Sequence, residues 1–359
     1  MIIHRSIFKE LFINLVVTIF SLSVLLFMQK FVKLTRLFLG KGAEIADILK
    51  VFWYLQPSIL LLAVPMALLI ATFLTYGRMS SDSELVVLKG SGVSFTGTVR
   101  ASIILAILCF IFQVVNSAYM LPTSMVAFKK TLHETIIKKA SLTLEEESFS
   151  DVFKDTVIFV NEIPSEKEFR GIFIYKEADK KVKKPLVIVA EKGEITSVPE
   201  EGLIHLTMNN GFIHSYEDDK SSEISFSKYD FILTSGIEST DKTKPEEIST
   251  IQLWKDRNNI TSWAIELNRR FALPFACLIF GMLGPALSST MGKIGRLGGF
   301  SLSLSILILY YLLLVMGEGL AKANKLSPLW GGWTPNIIFG AIAALFFYKA
   351  YKDRPVKRF

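Results

Sequence analysis

Cysteine and histidine are scarce in this chain, which limits the chemistry it can carry. Its 359 residues include two cysteines and four histidines. Cys109 and Cys277 lie inside apolar runs and the polar middle of the chain has no cysteine, which excludes a disulfide framework or a cysteine-based metal site there. We expect both thiols to act as small apolar side chains. His205 and His214 fall on strand-like segments without a carboxylate or thiol at ligand spacing, so we interpret them as packing residues.

The sequence also lacks the motifs of the common catalytic centres. It contains no zinc signature, no nucleophile elbow and no phosphate-binding loop, since Gly292-Lys293-Ile294 departs from the Gly-Lys-Ser/Thr pattern. No pair of carboxylates lies within an apolar run, as a proton relay would require. We therefore expect a protein that is not an enzyme and needs no cofactor, so that any work it performs draws its energy from a partner.

Apolar residues are abundant, at 51% of the chain, and they are concentrated in six runs. These runs cover residues 11–29, 52–76, 101–121, 271–287, 300–316 and 335–348. About 20 helical residues cross a hydrocarbon core of ~30 Å. The first run has a basic start but no small-x-small cleavage site after it, so we interpret it as a retained helix. The sequence predicts a polytopic α-helical membrane protein with six transmembrane helices, three on each side of a polar insert.

The distribution of basic residues predicts the orientation of these helices. Lysine and arginine are more frequent on the side of the N-terminus, which favours cytoplasmic N- and C-termini. An exception is the cluster of Lys30, Lys33, Arg36 and Lys41 at the outer end of the first helix. Two interpretations remain open: the side chains anchor the helix end at headgroup level, or they bind an anionic lipid headgroup.

The polar insert has the pattern of an all-β domain. We divide the chain into an N-terminal transmembrane half (1–128), a β domain (129–250) and a C-terminal transmembrane half (251–359). Short strand-like segments separated by charged turns favour a sandwich or an open barrel. Asn209-Asn210-Gly211 predicts a hairpin turn between two of the strands. Residues 246–268 predict a helix that returns along the outer interface.

A polar stretch from Tyr76 to Gly92 connects the second and third apolar runs. Ser81-x-x-Glu84 has the spacing of a capping box, and Gly90 with Gly92 supplies a stop, so we predict a helix of one to two turns. One face of this helix is apolar and one edge is acidic. A helix so short is marginal alone in water. It is either an ordinary connecting loop with a capped turn or a docking site for another protein.

Several segments, in this order along the chain, resemble one known family of transport proteins. They are Ile2-Ile3-x-Arg5, Gln29-Lys30-x-Val32-Lys33, the segment from Arg78 to Val93 with Ser83-Glu84, Glu266-Leu-Asn-Arg-Arg270, and Ser327-Pro-Leu-Trp330 before Trp333-Thr-Pro-Asn336. The set resembles the LptF/LptG family, the permease subunits of the lipopolysaccharide export ABC transporter. The short N-terminus and the Gln-Lys-x-Val-Lys segment are more similar to F-type than to G-type subunits.

The resemblance implies a six-span permease half with a periplasmic β-jelly-roll, in the inner membrane of a Gram-negative bacterium. It implies lipopolysaccharide as the substrate, extracted from the inner membrane and passed to a periplasmic bridge. The implied partners are an LptB-type ATPase dimer, an LptG-type permease half and an LptC-type single-span accessory protein, with no nucleic acid.

The resemblance also implies two sets of functional residues. Glu84 matches the acidic position that couples the permease to the ATPase, and we extend this coupling set to its neighbours Arg78, Asp82, Leu85 and Leu88. Lys30 and Lys33 match basic positions that meet the phosphates of lipid A, and we extend this lipopolysaccharide-binding set to Arg36 and Lys41. No metal ligands are expected.

Two other functions are compatible with parts of the sequence. The helices could anchor a β domain that recruits envelope proteins as a structural scaffold. A lipoprotein-releasing permease is a further alternative, but that type carries its large outer insert after the first span, whereas the insert here follows the third.

Overall fold

A computed structural model describes most of the chain. The described residues are 2–38, 45–139, 146–153, 156–165, 168–177, 185–198, 203–217, 220–233, 244–257, 260–290 and 295–352. They fall into two compact units. The first contains residues 1–30, 54–126 and 244–359, and the second contains residues 31–53 and 127–243.

The described helices include six that are long and apolar enough to cross a membrane. The helices are α1 (Ile2–Phe38), α2 (Ile45–Ser81), α3 (Glu84–Gly90), α4 (Phe95–Val115), α5 (Leu121–Lys139), α6 (Thr250–Asp256), α7 (Thr261–Thr290), α8 (Gly295–Lys322) and α9 (Pro328–Lys352). A π-helical turn, Asn116–Met120, joins α4 to α5 so that both belong to the third span. The candidate spans are Ile3–Phe31, Leu49–Ser81, Phe95–Thr131, Thr261–Thr290, Leu297–Lys322 and Pro328–Lys352, which confirms the six predicted helices.

Polar side chains of the third span donate hydrogen bonds to carbonyl groups that prolines of the second and fourth spans leave without a donor. Proline has no N–H, so it leaves the carbonyl four residues earlier without its helical donor. Pro65 frees the carbonyl of Leu61, which accepts from Gln113 Nε2 at 2.9 Å. Ser117 Oγ donates to the carbonyl of Arg270 at 2.9 Å and Ser102 Oγ to that of Gly281 at 2.7 Å, and these are the carbonyls freed by Pro274 and Pro285. The third span therefore completes the hydrogen bonding of its two neighbours.

The polar residues of the third span thus bind neighbouring helices, as polar residues inside membranes commonly do. Asn116 Nδ2 also donates to the carbonyl of Pro57 at 3.0 Å. In the π-helical turn the carbonyl of Ala118 accepts from Thr250 Oγ1 at 3.0 Å. These contacts hold the third span against α2, α6 and α7. Cys109 and Cys277 are free and buried in the same bundle, consistent with small apolar side chains.

Glycines on helices of the C-terminal half allow close approach of neighbouring helices. A Cβ atom on Gly317 of α8 would lie 2.3 Å from the carbonyl oxygen of Gly331 on α9. A Cβ atom on Gly284 of α7 would lie 2.1 Å from Thr72 Oγ1 on α2. Both positions exclude any larger side chain unless the helices separate.

The second unit contains an open antiparallel sheet of six strands. They are β1 (Ser148–Phe153), β2 (Thr156–Ser165), β3 (Glu168–Lys176), β4 (Leu186–Val198), β5 (Leu203–Glu217) and β6 (Lys220–Leu233). The strands pair in chain order, with registers such as Ile172 opposite Ala190 and Ile188 opposite Ile213. One face carries a buried cluster that includes Ile158, Phe169 and Met208. The prediction of an inserted all-β domain is confirmed, but the described strands form one open sheet and not the predicted sandwich or open barrel.

The hairpin predicted at Asn209-Asn210-Gly211 is wrong. β5 continues through these residues because it pairs on both sides, with β4 from Leu186 to Val198 and with β6 from Lys220 to Leu233. The one turn-like feature at this position is the left-handed backbone of Asn210, at φ 53°. Gly211 is needed for close approach, since a Cβ atom there would lie 2.3 Å from the carbonyl oxygen of Val189.

The single helix predicted over residues 246–268 is also wrong. A 3₁₀ turn, Pro245–Glu247, is followed by α6, and α7 begins only at Thr261. Ser249 caps α6, because its Oγ accepts from the N–H of Gln252 at 3.3 Å. The chain thus enters the fourth span through two short helical segments held by side-chain contacts.

Candidate functional site

Arg78, at the end of α2, binds three carboxylates. Its Nε and Nη2 donate to the two oxygens of Glu10 on α1, each at 2.7 Å, in the forked geometry that guanidinium and carboxylate groups favour. Its Nη1 donates to Glu84 Oε1 at 2.6 Å and to Asp82 Oδ2 at 3.0 Å. We call Glu10, Arg78, Asp82 and Glu84 the Arg78 cluster. One guanidinium faces three carboxylates, so the cluster carries an excess of negative charge.

The short helix predicted after Arg78 is present as α3, but it does not begin with a capping box. Ser81 is the last residue of α2, and Glu84 is the first residue of α3. Ser83 stands at the cap with φ 59° and its side chain makes no capping hydrogen bond. Glu84 does not reach back to the backbone because its carboxylate binds Arg78. The Glu84 carboxylate thus takes part in an ion pair and not in a capping box.

The end of α3 follows the predicted glycine signal. Gly92 has a left-handed backbone at φ 86°. Its N–H donates to the carbonyl of Lys89, and the N–H of Val93 donates to that of Leu88, which is the Schellman arrangement. Gly90 is the last helical residue. The helix thus has two turns, with both ends fixed by contacts within the chain.

The apolar residues of α3 face in two directions. Leu85 is buried in a cluster with Ile7 and Leu11 of α1, and Leu88 packs partly buried against the same cluster. Val86 and Val87 are 67% and 68% exposed. Of the residues predicted for coupling, Leu85 therefore attaches the helix to its own bundle. The apolar surface presented outward is formed by Val86 and Val87, which the sequence analysis did not select.

Of the predicted lipid-binding cations, Lys30 has a described side chain, and it lies far from Arg78 along the first two spans. Lys30 Nζ donates to Ser58 Oγ on α2 at 2.9 Å. Lys33 and Arg36 belong to the last turns of α1, but their side chains lie outside the described residues, as does the whole of Lys41. The structure thus gives Lys30 a contact with the start of the second span.

A second ionic cluster lies where the fourth span begins. Arg270 is 1% exposed, and it donates to Glu266, to Thr250 Oγ1 and to the carbonyls of Pro245 and Glu246 over 2.9–3.3 Å. Arg269 lies 3.8 Å from Glu318 of α8 and 3.9 Å from Glu266. Three charged residues in one turn at the start of an apolar run were the sequence signal for this cluster.

Glu10 is the residue of the Arg78 cluster that the sequence analysis missed. The available signal was a single carboxylate placed between a basic lead-in and the first apolar run, where an acid requires a cationic partner. Its partner lies 68 residues away along the chain, which no local pattern reports.

The six candidate spans, the inserted antiparallel β domain and the short, partly exposed helix between two spans are the features of a multi-pass membrane protein. The sequence profile of the lipopolysaccharide export system permease LptF/LptG matches residues 5–349, and the chain belongs to that family.

Individual relatives agree with this assignment. The lipopolysaccharide export system permease protein LptF of Escherichia coli K12 is 25% identical over 367 aligned positions, which cover 100% of this chain and 97% of the relative. The protein of the same name from Shigella flexneri gives the same values. An uncharacterised protein of Rickettsia prowazekii is 22% identical over 60% of this chain and 59% of its own length.

Proposed function

We propose that this chain is the F-type half of an ABC transporter that extracts lipopolysaccharide from the inner membrane and passes it to a periplasmic bridge. In this proposal an LptB-type ATPase dimer supplies the energy and an LptG-type half completes the permease. An LptC-type single-span protein receives the lipid together with the β domain. The family membership supports the transport function, and the partners are inferred from it.

The observation that carries the proposal is the surface of α3. Val86 and Val87 offer an exposed apolar patch, and the Arg78 cluster beside it carries excess negative charge. A protein with a small apolar groove and a basic rim is complementary to both features. Since an ATPase draws on cytoplasmic ATP, we place α3 on the cytoplasmic side. Six spans then put both termini on that side and the β domain in the periplasm.

The exposed face of α1 supports a second permease half or lipid beside it. Phe12, Val16, Val17 and Phe20 are exposed along one stretch of the helix. In a membrane such a face meets acyl chains or another helix. The three-residue spacing of Lys30 and Lys33 in the sequence predicts that they share a face at the outer end of the helix, where phosphates of lipid A would lie.

The test is the substitution Glu84→Ala in the complex purified with its ATPase. The Arg78–Glu84 pair is partly exposed, so its loss destabilises the protein by less than about 1 kcal/mol. We expect the variant to fold and retain its ATPase while ATP-driven release of lipopolysaccharide from proteoliposomes is lost. Asp256→Ala on α6 removes the same charge from a residue without an assigned role and is the matched control. Normal release by the Glu84→Ala complex would contradict the assignment of α3.

A further inference from the structure

We propose that Glu10 is a positioning residue that connects α3 to α1 through Arg78, so that the first span moves together with the docking helix. This inference rests on the proposed function and deepens it, because it names the path by which the docked ATPase acts on the lipid-facing helix. Neither the sequence resemblance nor the family membership assigns Glu10 a role.

One guanidinium joins three helices in this cluster. Nε and Nη2 of Arg78 hold both oxygens of Glu10 on α1, and Nη1 holds Glu84 on α3. The fork fixes the orientation of Arg78 as well as its distance, because two parallel charge-assisted hydrogen bonds define a plane. Asp82 immediately follows α2, which carries Arg78, and it is half exposed, so its contact joins no further helix. Glu10 is therefore the carboxylate through which the docking helix reaches α1.

Packing around the fork makes the connection stiff. Ile7 and Leu11 of α1 are buried in the same cluster as Leu85 of α3. One turn after Glu10, Asn14 Nδ2 donates to Thr75 Oγ1 of α2 at 2.8 Å. These contacts keep the base of α1 beside α2 and α3, and the ion pair of Glu10 with Arg78 fixes its orientation relative to α3.

Beyond Leu15 the first span is packed less deeply. Among the described side chains of α1, Ile7, Leu11 and Leu15 are buried, and those from Val16 to Phe31 are exposed or partly buried, with Ile19 and Leu22 packed against the same cluster. Near the other end of the span, Lys30 Nζ contacts Ser58 Oγ of α2. A helix held at its base and loosely above it can tilt about that base.

The sequence of α1 also favours a straight helix that moves as one piece. Its 37 residues include neither proline nor glycine, the usual causes of a kink. Lys30 follows Glu10 by 20 residues, a rise of about 30 Å. A tilt of α1 about Glu10 therefore displaces its far end, which carries the cations proposed to bind lipopolysaccharide.

The test measures the position of α1 relative to α4. Spin labels are placed on exposed residues of two spans, by Phe20→Cys on α1 and Ile111→Cys on α4, in a background where Cys109 and Cys277 are replaced by alanine. The distance is measured by electron paramagnetic resonance in the complex with its ATPase, before and after addition of ADP and vanadate. We expect the distance to change when Glu10 is present and to remain constant in Glu10→Gln.

Transport is measured on the same complexes. Glu10→Gln keeps the shape of the side chain and loses its charge, so ATP hydrolysis continues while release of lipopolysaccharide falls about tenfold, which corresponds to about 1.4 kcal/mol of lost coupling. Lys9→Gln changes the adjacent, exposed residue of α1 by one charge and is the control, expected to behave as the unsubstituted complex. Should Glu10→Gln fail to assemble, Arg78→Lys replaces it, because lysine keeps the charge without the fork.

The outcomes separate this inference from the proposed function. A nucleotide-dependent distance change that persists in Glu10→Gln or Arg78→Lys would overturn the inference, and so would an unsubstituted complex whose distance never responds. A complex that responds to nucleotide through Glu10 but releases no lipopolysaccharide would leave the connection intact and reject the proposed function.

Discussion

The contact of Ser102 with Gly281 gives a direct measure of how the third span supports the kinked fourth span. Both groups are buried, and Pro285 leaves the carbonyl of Gly281 without a backbone donor. Ser102→Ala removes the hydroxyl with almost no change of volume. Hydrogen bonds between membrane helices contribute about 0.6–1.7 kcal/mol, and leaving a buried acceptor unpaired costs about 1–3 kcal/mol. We therefore expect a loss of about 1–2 kcal/mol in the free energy of unfolding.

A double-mutant cycle with Pro285→Ala separates this effect from general packing. Alanine at position 285 restores an N–H that can donate to Gly281, so Ser102→Ala should then cost less than about 0.5 kcal/mol, leaving a coupling energy of about 1 kcal/mol between the two sites. Unfolding is followed in mixed micelles with increasing dodecyl sulfate, using a thiol-reactive dye. The two cysteines are buried in the folded protein, so they react as it unfolds. Equal costs of Ser102→Ala in both backgrounds would refute the reasoning.

Two further predictions concern the lipid-binding face and the close approach of helices. The double substitution Lys30→Glu with Lys33→Glu should reduce photocrosslinking of lipopolysaccharide to α1, because two cations proposed to bind phosphate become anions that repel it. Lys322→Glu at the end of α8 is the control. Unchanged crosslinking in the double variant would count against the lipid site. Gly317→Val should destabilise the bundle by about 1–3 kcal/mol through overpacking against Gly331. Gly319→Val, two residues further along α8 with open space around it, should change dye-detected stability by less than about 0.5 kcal/mol, and similar losses for both would contradict the close approach.

The sequence was sufficient for the features that depend on length and composition. Six apolar runs became six helices, because every backbone group in a membrane must be paired within a segment and a helix achieves this by itself. A helix of one to two turns was predicted between two spans from a capping box and from Gly90 with Gly92, and of these signals the one at Gly92 ends α3. These signals are local, so the residues that produce them also form the structure.

The failures share a physical cause, which is that a distant partner outweighed a local signal. At Asn210 the sequence favoured a turn, but the strand continues because β5 forms ladder hydrogen bonds with β4 and β6 on either side. The capping box of Ser81 and Glu84 lost to Arg78, since an ion pair at 2.6 Å satisfies Glu84 better than a backbone N–H would. In each case the deciding contact lies outside the window that a sequence pattern covers.

The two ionic clusters differ in burial, and this difference determines which of them can respond to a partner. Arg270 is buried with its donors satisfied, so separating it from Glu266 would leave an unpaired charge in an apolar interior, at a cost of about 3–5 kcal/mol. Arg78 is 19% exposed and Glu84 is 43% exposed, so water can replace a contact that is broken. Coulomb energies fall as the effective dielectric constant rises, which makes exchange of partners feasible at Arg78. The Arg270 cluster is therefore a fixed point of the bundle, whereas the Arg78 cluster is the one at which the proposed ATPase partner would act.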